Sequence, residues 1–135
     1  MRVEELFRQF LLEQPAVAAL VGARVHPSEL PQASPLPALV YEEREAFPDE
    51  TTGGTSHIER RRYSLDIHGR TRAEVLRLQT ILKNLLKGAS AGAQGLEIQG
   101  IFFVDETVRR DDATRTWVGE QDWDLMVDGP EDVGS

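Results

Sequence analysis

Two alternating segments near the C-terminus, residues 96–104 and 116–127, constrain the fold most strongly. Apolar residues that share one register are Leu96, Ile98, Phe102 and Val104 in the first segment and Trp117, Trp123, Leu125 and Val127 in the second. An apolar repeat with a period of two is typical of a strand with one buried face. The charged residues 105–115 between the segments predict a turn-like connection. We therefore expect an antiparallel hairpin.

Two further strands are predicted upstream, at residues 38–45 and 58–68. The second alternates clearly, with Tyr63, Leu65 and Ile67 on one side and Ser64, Asp66 and His68 on the other. Between these strands, residues 46–56 are polar and contain Pro48, Gly53 and Gly54. This composition predicts a long loop, which we expect to be mobile in an isolated subunit and ordered in an assembly.

Three helices are predicted from the spacing of apolar residues and from end signals. Residues 3–12 repeat at the three-and-four spacing of one helical face, and Pro15 suits the start of a short helix that Gly22 ends. Thr71 and Glu74 form a capping box, with side chains able to bond each other's backbone amides, before a longer helix that runs to about Lys87. Residues 24–26 predict a short extended piece, and residues 88–95 a flexible connector.

This order of elements predicts an α+β fold, with a mostly antiparallel sheet of about four strands and the helices packed on one face. The other face of the sheet would be polar or covered by a partner. We expect one domain over residues 1–128, followed by a flexible acidic tail at 129–135.

Composition excludes several classes of function. The chain of 135 residues has no cysteine, so it has no thiolate nucleophile, thiolate metal site or disulfide. Its formal net charge of -8 disfavours tight binding to a phosphate backbone. Residues 105–135 carry most of that charge, with ten acids against three bases. No apolar run is long enough for a membrane span, and we expect a soluble protein with no membrane partner.

The candidate catalytic motifs do not fit their chemistry. Ser90 lies in a G-x-S-x-G stretch, but a helix precedes it and a strand follows, the reverse of a nucleophile elbow. No two of the three histidines have the spacing of a helical metal pair, and His68 with Asp66 is best explained as a surface pair at a strand end. We predict that the protein is not an enzyme, with no catalytic residue, cofactor or metal.

Arg60, Arg61 and Arg62 are the one concentrated basic feature. In a strand, Arg60 and Arg62 would share a face and Arg61 would lie on the other. Three interpretations stay open: a contact with acids of a neighbouring copy, a contact with nucleic acid, or a solvated edge strand whose charges prevent unwanted pairing. We take the first as the working hypothesis and name the three arginines as candidate subunit-interface residues.

Several stretches together resemble the short tail-completion proteins of long-tailed phages and gene transfer agents. The first stretch is Gln14 to Gly22, followed by Arg24-Val25 and Pro27, and the second is Leu30 to Gln32, leading to Leu36–Tyr41. The third is Tyr63 to Ile67, with Ala73 and Glu74 of the next helix. The fourth is Gln99 to Phe102, followed by Asp105-Glu106. These stretches are turns and core positions rather than catalytic motifs, and the resemblance covers about residues 3–128.

The resemblance implies a ring-forming subunit, typically of a hexamer, that acts as tail terminator or tail-to-head joining protein. Its partners would be the tail-tube protein and a head-completion (stopper) protein. DNA would pass through the lumen without specific binding, and the protein would reside in the tail or neck of a virion assembled in the host cytoplasm. The alternatives are another neck component, such as a stopper or adaptor-like protein, and a small nucleic-acid-binding module.

Overall fold

The structure, a computed structural model, describes residues 1–47 and 58–129. Most of the predicted loop at 46–56 and of the predicted tail at 129–135 therefore lies outside the described residues. In chain order the elements are α1 (Val3–Leu12), α2 (Pro15–Val21), β1 (Val25–Pro27), β2 (Ala38–Phe47), β3 (Glu59–Gly69), α3 (Arg72–Leu86), β4 (Ala91–Ala93), β5 (Leu96–Asp111) and β6 (Thr116–Asp128).

The strands form one sheet in the order β1-β2-β3-β6-β5-β4. The pair β1–β2 is parallel and the other neighbours are antiparallel. The α+β class is confirmed, but the expected four strands are wrong, since the described sheet has six. The two additional strands are β1 and β4, which have three residues each, too few for alternation to show. Strand β1 overlaps the short extended piece predicted at residues 24–26, whereas no strand is predicted at β4. The segment predicted as a flexible connector contains β4.

The predicted hairpin is present, but its connection is shorter than expected. Strand β5 continues through Asp111, where it pairs with Thr116, so residues 105–111 are strand rather than turn. The turn is confined to residues 112–115, with Arg115 at φ 56°. The charged composition of 105–111 misled the prediction because a strand needs apolar residues only on a face that is buried.

The predicted register of β5 is wrong at Phe102 and Val104. Register shifts between Ile98 and Gly100 and between Phe103 and Asp105 interrupt the alternation. Each bulge adds one residue, which exchanges the inward and outward faces of the residues that follow. Ile101 is consequently buried, whereas Phe102 is 54% exposed and Val104 is 41% exposed.

The helices begin and end close to their predicted positions. The bounds of α1 and α2 match the prediction, and Thr71 Oγ1 accepts a hydrogen bond from the Glu74 amide at 3.1 Å to cap α3. The second half of the capping box differs from the prediction. Glu74 Oε1 accepts from the backbone amide of Arg70 at 2.9 Å, one residue before the expected partner.

The core lies between the helices and one face of the sheet. Trp123 on β6 and Leu82 on α3 are both fully buried in this single cluster, so the sheet and the longest helix share one core. Phe103 packs edge-on against Trp123, with ring centroids 5.4 Å apart. Gln121 is also fully buried, and its side-chain oxygen accepts from the Trp123 indole at 3.2 Å, so this polar group has a partner inside the core.

Candidate assembly surface

The face of the sheet opposite the helix-covered core is called the open face here. Its side chains follow from the strand register, since residues opposite each other in an antiparallel pair point to the same side. The residues that define it are Phe47 on β2, Arg60, Arg62, Ser64, Asp66 and His68 on β3, Glu120, Asp122 and Asp124 on β6, and Phe102, Asp105, Thr107 and Arg109 on β5. Most of these residues are polar or charged, so this face differs from the apolar side that packs on the helices.

Arg62 forms the best-ordered ion pair of the open face. Its Nε donates to Asp124 Oδ1 at 2.9 Å and its Nη2 donates to Asp124 Oδ2 at 3.2 Å, a two-bond arrangement that fits a planar guanidinium to a carboxylate. Asp124 is only 8% exposed. The hydrogen bonds with Asp124 raise the pKa of Arg62 above its usual value.

Arg60 lies beside the same pair but is held more loosely. Its Nη1 is 3.9 Å from Asp124 Oδ2, and its guanidinium lies over the Phe47 ring at 4.2 Å from the centroid. The Arg62 guanidinium is 5.7 Å from that centroid. One aromatic ring and one carboxylate thus hold two guanidinium groups at the β2 end of the open face.

Arg61 lies on the helix-side face, where it meets different acids. Its Nη1 is 3.1 Å from Glu43 Oε1 and its Nη2 is 2.9 Å from Glu59 Oε2. Nearby, burial and then the Glu43 carboxylate raise the pKa of Tyr63 strongly. Arg61 therefore belongs to a charged cluster at the end of the sheet, separate from the pair formed by Arg60 and Arg62.

The split of the three arginines between two faces is confirmed by the register of β3. Each arginine also has an acidic neighbour within its own chain. The prediction that they reach acids on a neighbouring copy stays a prediction. The structure adds a constraint, because Arg62 already uses both Asp124 oxygens and is less available than Arg60, whose side chain is 46% exposed.

A second feature of the open face is an incompletely satisfied acid near its centre. Asp66 Oδ1 is buried and has no hydrogen-bond partner in the described chain. Burial, and then the Glu120 carboxylate opposite, raise the pKa of Asp66 to about 6, against the opposing effect of Arg44 and Arg109. His26 Nε2 is likewise buried without a described partner. His26 is opposite Val40 on β2, and Val40 is opposite Asp66 on β3, so the three residues form one row across the strands.

The candidate catalytic groups are not brought together in a site. Asp66 and His68 share the open face, as expected, and burial followed by the Arg109 charge lowers the pKa of His68. Ser90 is exposed in the segment between α3 and β4. Within residues 1–47 and 58–129, no group of three or more His, Asp and Glu side chains is arranged to hold a metal ion, and no helix is long and apolar enough to cross a membrane.

The sequence did not identify Asp124 and Phe47 as partners of the arginines, or Phe102 as an exposed residue of the same face. The pairing of Asp124 with Arg62 depends on the β3–β6 register, which connects residues 62 positions apart. Phe102 had a usable signal in Gly100. A glycine inside a strand pattern often marks a bulge, and a Cβ at Gly100 would lie 3.0 Å from the Phe102 ring.

Comparison with known proteins gives a consistent result. The family model of tail completion protein gp17 matches residues 5–128. A search of curated proteins finds no match. Among solved structures, the chain is similar to a chain from the virion of a native gene transfer agent particle, with a TM-score of 0.71, 18% identity, and coverage of 94% of this chain and 95% of that one. At that identity the likeness shows a shared fold.

The family match extends over nearly all of the described fold, from the second residue after the start of α1 to the end of β6. It includes the core, the open face and all three arginines. The chain therefore belongs to the tail completion protein gp17 family, which assigns it to the tail or neck of a phage-like virion.

Proposed function

We propose that this protein is a non-enzymatic structural subunit of a ring that terminates the tail tube and joins it to the head. The ring is a homo-oligomer, with a hexamer as the expected state, and DNA passes through its lumen. The observation that carries the proposal is the family match over residues 5–128. It is supported by the shared fold with a chain of a gene transfer agent virion.

The charge of the chain is compatible with a passage for DNA. The net charge is -8, and the open face carries carboxylates of Asp105, Glu120 and Asp122. Phosphates are held by clustered bases that release counterions, and each of the three clustered arginines, Arg60, Arg61 and Arg62, already has an acidic neighbour in its own chain. A subunit of this kind lets DNA slide rather than binding it.

The main alternative is another neck component, such as a stopper or adaptor-like protein. It would share the tail or neck location and the contact with a head-completion protein, but it would not limit tail length. A free-standing nucleic-acid-binding module is less compatible with the acidic surface and with paired arginines.

Assembly in the presence of the tail-tube protein tests the proposal. We expect rings in negative-stain micrographs, tails of uniform length when the protein is present, and overlong tails that do not attach to heads when it is omitted. If omission of the protein instead gives tails of normal length that fail to join heads, the result would support the stopper alternative. A salt-sensitive gel shift of DNA by a monomer, without rings, would contradict the ring proposal.

A further inference from the structure

Both edges of the described sheet are covered over only part of their length. Strand β1 pairs with Leu39–Tyr41 of β2, so the outer side of Glu42–Phe47 has no strand neighbour in the described chain. Strand β4 pairs with Leu96–Ile98 of β5, and just before β4 the Gly88 amide donates to the Ile101 carbonyl at 3.0 Å. This leaves the outer side of residues 102–111 without a strand neighbour in the described chain. A free edge presents unpaired backbone amides and carbonyls, and it is a template for another strand.

The two free edges lie at the same height in the sheet. Following the register across the strands, Glu45 is opposite Arg62, Arg62 is opposite Asp124, and Asp124 is opposite Phe102. Two residues farther along the strands, another row connects Phe47, through Arg60 and Met126, to Gly100. Residues 42–45 of β2 are therefore level with the free residues 102–105 of β5, at the opposite edge of the same sheet.

The strand directions allow these edges to pair between copies. Three antiparallel pairings separate β2 from β5, so the two strands run in opposite directions. A rotation about an axis parallel to the strands changes neither the direction of a strand nor its height along that axis. When such a rotation relates two copies, β5 of one copy lies beside β2 of the next copy, antiparallel to it and at the same height. Such a head-to-tail contact closes into a ring when the rotation divides a full turn.

The side chains at the two edges are matched in chemistry. Phe102 and Val104 are the exposed large hydrophobic residues of the described chain, and both lie on the free part of β5. Phe47 lies on the open face at the β2 edge, two residues along from the level of Phe102, with the Arg60 guanidinium over its ring. Pairing would make Phe102 a diagonal neighbour of this ring and guanidinium, which would remove apolar surface from water.

Charge favours this pairing over two identical edges meeting. Residues 42–47 contain three glutamates and one arginine, so two β2 edges would oppose like charges. Residues 102–105 contain one acid, Asp105. Each edge also has a bulge next to the row that connects Glu43 to Phe103, between Glu43 and Glu45 on β2 and between Phe103 and Asp105 on β5, so the two edges bend at nearly the same height.

We propose that residues 42–45 of one copy pair with residues 102–105 of the next copy as adjacent antiparallel strands, which joins the sheets of neighbouring subunits. The inference rests on the proposed ring and names the contact that closes it. The partner is a second copy of this chain.

The absence of cysteine allows a direct test. Two double variants, Glu45→Cys with Val104→Cys and Glu42→Cys with Val104→Cys, place thiols at the two edges and allow for a small slip in register. Within one chain these positions are three strand spacings apart, about 14 Å, too far for a disulfide. Any disulfide formed on mild oxidation is therefore between copies. The matched control, Glu45→Cys with Glu97→Cys, moves the second thiol along β5 to the part that β4 covers.

The variants are oxidised in tails assembled with the tail-tube protein and separated on non-reducing gels. We expect a ladder that ends at the copy number of the ring from at least one Val104→Cys double variant, and monomer from the control and from each single variant. Dimers from Val104→Cys alone would overturn the inference in favour of two β5 edges pairing. Rings in micrographs without a ladder from either double variant would overturn it and leave the ring proposal intact. Absence of rings in the unmodified protein would refute the ring proposal itself, and the inference with it.

Discussion

The two faces of the sheet show how one set of strands stabilises a subunit and also presents a surface. The helix-side face buries Trp123, Leu125 and Ile101 in one apolar cluster. The open face, one residue away along the same strands, carries Asp124, Arg62 and an exposed Phe102. The difference indicates that the helix side determines the stability of the fold, whereas the open face and its edges are available for contacts.

The largest effect is expected on the helix side. Trp123→Ala removes a fully buried indole and the edge-on contact with Phe103. We expect a loss of about 3–5 kcal/mol in the free energy of unfolding, because the cavity cannot refill from the surrounding strands. Urea unfolding followed by circular dichroism measures it. A variant that melts within about 2 °C of the unmodified protein would show that this face is not the stabilising one.

A smaller loss of stability is expected on the open face when Arg62 is removed. Arg62→Ala leaves the Asp124 carboxylate, which is 8% exposed, without its two-bond partner. We expect a cost of about 1–3 kcal/mol, the range for an unsatisfied polar group. Arg60→Ala is the matched control, and it should cost less than about 0.5 kcal/mol because this looser contact is exposed.

A double-mutant cycle separates the ion pair from other effects of these substitutions. Asp124→Ala combined with Arg62→Ala should cost less than the sum of the single changes. Additive costs would mean that the pair contributes little and that the open face has no part in stability. A triple variant in which Arg60, Arg61 and Arg62 are all replaced by Glu would place a glutamate side chain against the Asp124 carboxylate. We therefore expect this variant to disturb folding as well as assembly.

Sequence patterns predicted the helix side better than the open face, for a physical reason. A buried face requires apolar residues at a fixed period, so α1, α2, the β3 alternation and the burial of Trp123 followed from spacing. A solvated face imposes no such pattern. The charged end of β5 consequently has the composition of a turn. The three-residue strand β4 has no pattern long enough to recognise, and β1 is predicted only as a short extended piece.

The arginine site was only partly predictable for a related reason. Its division between two faces follows from the period of a strand, but its partners depend on tertiary register. Asp124 becomes a neighbour of Arg62 only when β3 and β6 pair. Phe102 reaches the open face only because the bulge between Ile98 and Gly100 shifts β5, and a bulge is visible in sequence at most through a glycine such as Gly100.

Stability should depend on pH through Asp66 on the open face. Because the pKa of the folded state is raised to about 6 from 3.8, the folded protein binds more protons than the unfolded chain between these values. This group therefore makes the protein less stable as pH rises from about 4 to 6. Asp66→Asn should remove that slope and increase stability at pH 7 on the order of 1 kcal/mol.

The check is the melting temperature of both proteins between pH 4 and 7.5. Asp122→Asn is the matched control, since Asp122 is a half-buried carboxylate on the same face without an unpartnered buried oxygen. The same change in slope in both variants would assign the effect to total negative charge on the open face rather than to the buried Asp66 oxygen. An unchanged slope in Asp66→Asn would show that the carboxyl is well solvated.

The smallest change in stability should accompany the largest change in assembly, at two phenylalanines adjacent in sequence. Phe102 and Phe103 are on opposite faces of β5, with Phe102 54% exposed and Phe103 against Trp123. Phe102→Ala removes a side chain with little to lose in the isolated subunit, so its unfolding free energy should change by less than about 0.5 kcal/mol. Phe103→Ala should cost about 1–3 kcal/mol of unfolding free energy through the core.

If the β5 edge meets a neighbouring copy, Phe102→Ala subunits fold normally but fail to form rings, whereas Phe103→Ala subunits that remain folded still form them. Melting curves and negative-stain micrographs on the same samples measure both properties. Normal rings from Phe102→Ala would mean that the exposed ring is an ordinary surface residue, and that the open face contributes to assembly through its charges or not at all.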